Sequence, residues 1–96
     1  LGAITGDVRR AVQANGTENR GGASLLGNLV ADAQLWATRD LGTEVAFMNP
    51  GGLRADLVFA GTGATDPDGN VTFREAASVQ PFANSLFTMT LTGAQV

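Results

Sequence analysis

Two periodicities divide the chain. From Ser24 onward, Leu26, Val30, Ala33, Ala37 and Leu41 recur at spacings of four, three, four and four, which lays one apolar stripe along a helix; Leu25, Leu29 and Trp36 widen it. Ser24 or Gly22 caps its start, and Gly42 stands where a left-handed residue stops a helix. Elsewhere the period shortens. "AITGDV" alternates apolar and polar positions, broken only at Ala3, and predicts a short strand, followed by the irregular loop "QANGTENRGG". "TEVAFM" predicts a buried strand and "GTGATDPDGN" a turn-rich connection. "VTFREAASVQ" predicts a short strand running into a helical turn or two. In "SLFTMTLT", Leu86, Thr88 and Thr90 alternate with Phe87, Met89 and Leu91, which predicts a strand partly covered on both faces. The order strand, helix, strand, short helix, strand predicts an α/β or α+β layered domain with a mixed sheet. "LTGAQV" reads as a Thr-Gly followed by the first turn of another helix, too short to bury a face. That ending predicts a truncated, partial domain over residues 1–96.

Composition narrows the functional classes. The 96 residues carry a net charge of −3, and all six basic residues are arginines, spread over positions 9, 10, 20, 39, 54 and 74. No basic patch for a nucleic-acid duplex or an anionic membrane surface is present. No run reaches the roughly 20 apolar residues of a membrane span. Cysteine is absent, so there is neither a disulfide framework nor a thiolate site; histidine is absent too, which removes the commonest general base and transition-metal ligand. Glu75 and Asp56 have no second carboxylate beside them in sequence, a poor basis for acid/base catalysis. "DPDGN" has the look of a calcium loop, but the positions that require Gly and Glu hold Val71 and Ala77, which leaves a turn.

Two stretches stand out against this background. "NPGGLR" places Asn49, Gly51, Gly52 and Arg54 directly after the predicted strand "TEVAFM". A loop with positive-φ glycines and a solvated arginine accounts for it. So does a ligand site: ligands gather beyond the carboxyl ends of strands in α/β sheets, paired glycines let a ligand reach backbone N–H groups, Asn offers donor and acceptor to a base edge, and Arg grips phosphate bidentately. The second stretch is "QPFAN". Phe82 follows Pro81 and lies between Gln80 and Asn84, in polar surroundings where an aromatic either packs locally or stacks on a base.

Taken together, "LLGNLVADAQL", "AFMNPGGLRADL" and "VTFREAASVQPFANSLFTMTLTGAQV" resemble the substrate-binding C-terminal domain of the 5′-nucleotidase family, whose members include UDP-sugar hydrolases and cyclic-nucleotide phosphodiesterases. The likeness covers roughly residues 20–96, with the three blocks in the family's order, and makes the chain the N-terminal portion of that domain. It implies that Phe82, within the family pattern "QPFGN", is one of two aromatics that sandwich the nucleobase; Ala83 stands where that pattern has Gly. In the pattern "N-x-G-G-[IL]-R" it implies Asn49 at the base edge and Arg54 on the substrate phosphate, with Arg20 as a further phosphate-binding arginine. It also implies a secreted parent enzyme, extracellular, in the cell wall or periplasmic. Two divalent metal ions would then sit in a separate N-terminal metallophosphatase domain of the same chain and activate the attacking water. The 96 residues themselves would carry no catalytic centre and no metal, only part of a site for a nucleotide or nucleoside. The second stacking aromatic and the ribose-binding residue would lie beyond Val96. Strand neighbours supplied by absent sequence would leave an edge open to self-association. The competing readings are a stand-alone ligand-binding module and a structural cell-surface module.

Overall fold

The computed structural model describes residues 1–96. The central element is α1, Leu25–Ala37. Of the two possible caps, Ser24 is the one used: its backbone is extended and its hydroxyl accepts from the Gly27 N–H at 3.0 Å. The α-helix ends earlier than the apolar stripe. Thr38 closes it, its hydroxyl donating back to the Gln34 carbonyl at 2.8 Å, and a single 3-10 turn over Arg39–Leu41 then ends at Gly42, whose φ of 75° is left-handed. Gly42 thus terminates the helical path, one short turn beyond the α-helix proper.

A second helix, α2, spans Phe73–Val79. It starts with a reciprocal capping box: Thr72 Oγ1 accepts from the Glu75 N–H at 3.3 Å, while the Glu75 carboxylate accepts from the Thr72 N–H at 2.8 Å. Glu75 therefore has a structural task, consistent with the absence of a partner carboxylate. Just before α2, the strand β2, Asn70–Val71, pairs antiparallel with β1, Gly2–Ala3, matching Gly2 with Val71 and Ala3 with Asn70. Three isolated antiparallel bridges join Val8 to Leu57, Val12 to Glu18 and Gly63 to Asp66. The sheet is thus two short antiparallel strands, smaller than the mixed sheet expected.

The core forms where these pieces meet. Leu26 of α1, Val79 of α2, and Leu53 and Leu57 from the segment between them are buried together, with Ile4, Val8, Val30, Met48 and Val71 packed around them. Only the first half of the α1 stripe takes part. Leu26 is fully buried, whereas Trp36 and Leu41 are exposed. The radius of gyration, 15.1 Å, exceeds the value of about 13 Å usual for a closed domain of this size, and only 8 of the 96 residues are buried.

Two expected strands are not formed. "TEVAFM" and "SLFTMTLT" lack strand pairing, and no backbone hydrogen bond is made by any residue from Thr43 to Met48 or from Asn84 to Leu91. Residues 43–47 and 86–91 instead both line one cleft of about 870 Å³. A strand exists only through a hydrogen-bonded neighbour, and neither segment has one. Nor is "TEVAFM" buried as expected, since Val45 and Phe47 are exposed.

Candidate functional site

At the end of the unpaired segment 43–48 the chain turns sharply. Asn49 has an extended backbone, and Pro50–Gly52 form one 3-10 turn, with the Gly52 N–H donating to the Asn49 carbonyl and the Leu53 N–H to the Pro50 carbonyl, both at 3.0 Å. The glycines differ in what they allow. A Cβ on Gly52 would stand 2.5 Å from the Met48 methyl and 3.1 Å from Asn49 Oδ1, so a side chain there fits only if the ends of Met48 and Asn49 give way. A Cβ on Gly51 would meet Arg20 Nη1 and Asn49 Nδ2 at 3.6 Å each. Gly51 is therefore a lip shared by an arginine and an amide, and the exposed Asn49 side chain does not cap the turn beneath it.

Arg54 leaves this turn pointing outward. Its N–H donates to the Val79 carbonyl at 2.9 Å, fastening the loop to the end of α2, and its Nη1 donates to the Gly51 carbonyl at 3.4 Å. Of the six arginines, Arg9, Arg10, Arg20 and Arg39 are ion-paired; Arg54 and Arg74 are not. An exposed cation beside a glycine turn, with no carboxylate to neutralise it, is suited to an anion.

Arg20 reaches Gly51 from the loop 13–20. That loop is a tight hairpin: Gln13 N–H donates to the Thr17 carbonyl at 2.8 Å, Asn19 N–H to the Ala11 carbonyl at 2.9 Å, and Val12 bridges Glu18. Glu18 Oε2 accepts from Arg20 Nε at 2.9 Å, and its Oε1 accepts from Arg10 Nη1 at 3.4 Å. Arg10 in turn donates both its backbone N–H and its Nε to Asp56 Oδ1, each at 2.9 Å. Partial burial pushes the Asp56 carboxyl upward, but the Arg10 N–H and guanidinium outweigh it and hold the group below its ordinary value. Its pair with Arg10 explains Asp56 as a structural carboxylate.

Phe82 sits beyond α2, half exposed. It precedes Ala83, whose φ of 50° is the one positive value outside glycine, so the position that the resemblance marks as Gly is left-handed here with a Cβ in place. Two residues before Phe82, Gln80 Nε2 donates to Met48 Sδ at 3.3 Å, and Gln34 Nε2 of α1 donates to the same sulfur at 3.6 Å. Met48 immediately precedes Asn49, so the aromatic turn is tied to the glycine turn through adjoining residues.

The structure thus gathers Arg20, Asn49, Gly51, Gly52 and Arg54 around one turn, with Phe82 attached through Gln80 and Met48. Sequence reasoning missed Glu18, Arg10 and Met48. A signal for Glu18 existed: in an extended hairpin arm, residues two apart share a face, which places Glu18 beside Arg20. No group of three His, Cys, Asp or Glu side chains is placed to hold a metal ion. The residues present do not fit a two-metal centre.

The family described as 5′-nucleotidase, C-terminal domain, matches residues 2–96. The chain is 37% identical over 75 residues to the cell wall protein Lmo0130 of Listeria monocytogenes, covering 76% of the chain and 9% of that protein. It is 35% identical over 72 residues to the trifunctional nucleotide phosphoesterase protein YfkN of Bacillus subtilis, covering 74% of the chain and 4% of that protein. With the NAD 5′-nucleotidase of Haemophilus influenzae it shares 30% identity over 98 residues, covering the whole chain and 15% of the relative. The chain therefore spans less than a sixth of the length of these relatives. No solved structure matches it.

Proposed function

The chain belongs to the 5′-nucleotidase C-terminal domain family, and from that premise we propose that it is the nucleotide-recognising part of a secreted, metal-dependent phosphoric-ester hydrolase. The observation that carries this reading is the uncompensated Arg54 at the Gly51–Gly52 turn, with Arg20 and Asn49 on the same lip. Arg54 and Arg20 supply N–H donors to the phosphate oxygens, Asn49 meets the base edge, and the exposed face of Phe82 stacks on the base.

In this reading the chain's residues bind and orient the nucleotide, and the bond is broken at a centre outside them. The relatives' names support a nucleotide as substrate in two cases. The third, a cell wall protein, supports a place outside the cytoplasmic membrane. No helix here is long and apolar enough to cross a membrane. The layered, mixed sheet expected from sequence fits a domain in which further strands pair with residues 43–48 and 84–91.

The test is nucleotide hydrolysis by the full-length protein that contains this domain. Replacing Arg54 by Ala should reduce kcat/KM by about tenfold or more, the cost of losing a charge-assisted hydrogen bond. Unchanged kinetics in that variant would refute the reading.

A further inference from the structure

We propose that Glu18 is a positioning residue for Arg20, a role that rests on the site reading above: it holds the guanidinium by its Nε edge so that the Nη edge faces the phosphate across Gly51. The geometry divides the arginine's donors cleanly. Glu18 Oε2 takes the Nε–H at 2.9 Å, and Nη1 is the arginine atom nearest to where a Gly51 side chain would be. A guanidinium has five N–H donors in a rigid fork, so four remain for a ligand on the Nη side.

Left alone, a carboxylate so near an anion site would repel the ligand. Arg10 removes that cost. It binds the other oxygen of Glu18 and itself donates two bonds to Asp56, two residues beyond Arg54. The four side chains Asp56, Arg10, Glu18 and Arg20 sum to zero formal charge, and Arg54 adds the net positive charge of the site. The same relay clamps the hairpin carrying Arg20 to the segment carrying Arg54, which sets the spacing of the two arginines.

The test uses the full-length protein, with KM and kcat for a nucleoside monophosphate measured beside inhibition by the matching nucleoside, which lacks the phosphate. Glu18→Ala should raise the nucleotide KM about three- to tenfold and leave the nucleoside inhibition constant unchanged. The isosteric Glu18→Gln, which keeps an oxygen for Arg20 Nε, should recover most of the loss and also serves as the variant least prone to misfold. In an Arg20→Ala background, Glu18→Ala should add nothing. The proposal is overturned if both Glu18 variants keep wild-type KM, if nucleoside inhibition weakens in step with KM, or if the Glu18 effect persists without Arg20. Should Arg20→Ala and Arg54→Ala raise KM while the Glu18 variants are silent, only this proposal fails. If all of them are silent, along with Phe82→Ala, the site reading itself is lost and takes the proposal with it.

Discussion

The backbone N–H of Arg54 donates to the Val79 carbonyl at 2.9 Å, so the loop bearing the free arginine is fixed to the last residue of α2. At the next residue, Gln80 grips Met48, the residue before Asn49. These two bonds, one to the backbone and one to a sulfur, hold the glycine turn and the Phe82 turn in register.

The first prediction concerns the packing beneath that turn. In Gly52→Ala the new methyl meets the Met48 methyl at 2.5 Å, so the end of that flexible side chain must swing aside. Displacing a side-chain end costs about 1 kcal/mol, the low end of the overpacking range. Gly51→Ala meets nothing closer than 3.6 Å and should leave stability nearly unchanged while weakening nucleotide binding, since its methyl sits on the lip. Chemical denaturation of both variants checks the first half, and nucleotide titration of the full-length protein the second. Equal stability losses in the two would contradict the geometry.

The second prediction separates the two ends of the ligand. On the proposed reading, Phe82→Ala in the full-length protein should raise KM for nucleotides by more than it lowers kcat, because stacking on a base is made in ground and transition states alike; the size expected is about 1–3 kcal/mol. Arg54→Ala should lower kcat as well, since a contact to phosphate strengthens as charge redistributes. Ala83→Gly relieves a left-handed alanine and should stabilise the chain by about 1 kcal/mol without loss of affinity. Steady-state kinetics on the three variants tests this set, and a pure KM effect in Arg54→Ala would count against its assignment.

How much of this could be read from the sequence depends on the range of the interaction concerned. The start of α1 was legible because a Ser before an apolar stripe is a local signal, and α2 because its helix-forming run is short and self-capped. The segments 43–48 and 86–91 carry strand patterns, yet a pattern supplies only half of a ladder, and neither has a hydrogen-bonded neighbour. The exposed end of the α1 stripe has the same origin: periodicity marks a face for burial without saying what buries it. Asn49, Gly51, Gly52 and Arg54 were visible because the turn holding them is contiguous. The Glu18 relay was not, because Arg10 and Asp56 meet across 46 residues of chain.

Acid should weaken the structure through three carboxylates, the third prediction. Asp7 accepts from the Phe59 N–H at 2.8 Å and pairs with Arg9, and both contacts lower its pKa. Buried Asp66 accepts from Thr62 Oγ1 at 2.8 Å and from Asn70 Nδ2 at 3.2 Å, which lowers its pKa in turn; Asp56 is lowered on balance by Arg10. A group whose folded pKa lies below its unfolded value stabilises the fold above the unfolded value, near 3.8 here, and loses that contribution as pH falls through the folded one. The urea midpoint should therefore drop as pH falls below about 4, where the unfolded chain binds more protons than the folded one. Asp66→Asn should lower the midpoint at neutral pH and flatten the acid slope. A slope identical to wild type would show that Asp66 does not contribute to it.

The last prediction follows from the uncovered surface. Val45, Phe47, Phe87 and Met89 are 62%, 72%, 80% and 73% exposed, and all lie on the two segments that make no backbone hydrogen bonds. Apolar side chains beside unpaired N–H and C=O groups form the kind of edge that recruits another strand. In the 96-residue chain by itself the available strand is that of a second copy, so the chain should self-associate by edge pairing, or by exchange of elements between copies, and should be poorly stable as a monomer. Phe47→Lys together with Phe87→Lys places a charge on each segment and should shift the population toward monomer without touching the core around Leu26 and Leu53. Size-exclusion chromatography with light scattering over a concentration series measures this directly. A mass that rises with concentration in the parent chain and falls back in the double variant is the expected result; a concentration-independent monomer with a sharp, cooperative melt would mean that the cleft between the two segments closes on itself in solution.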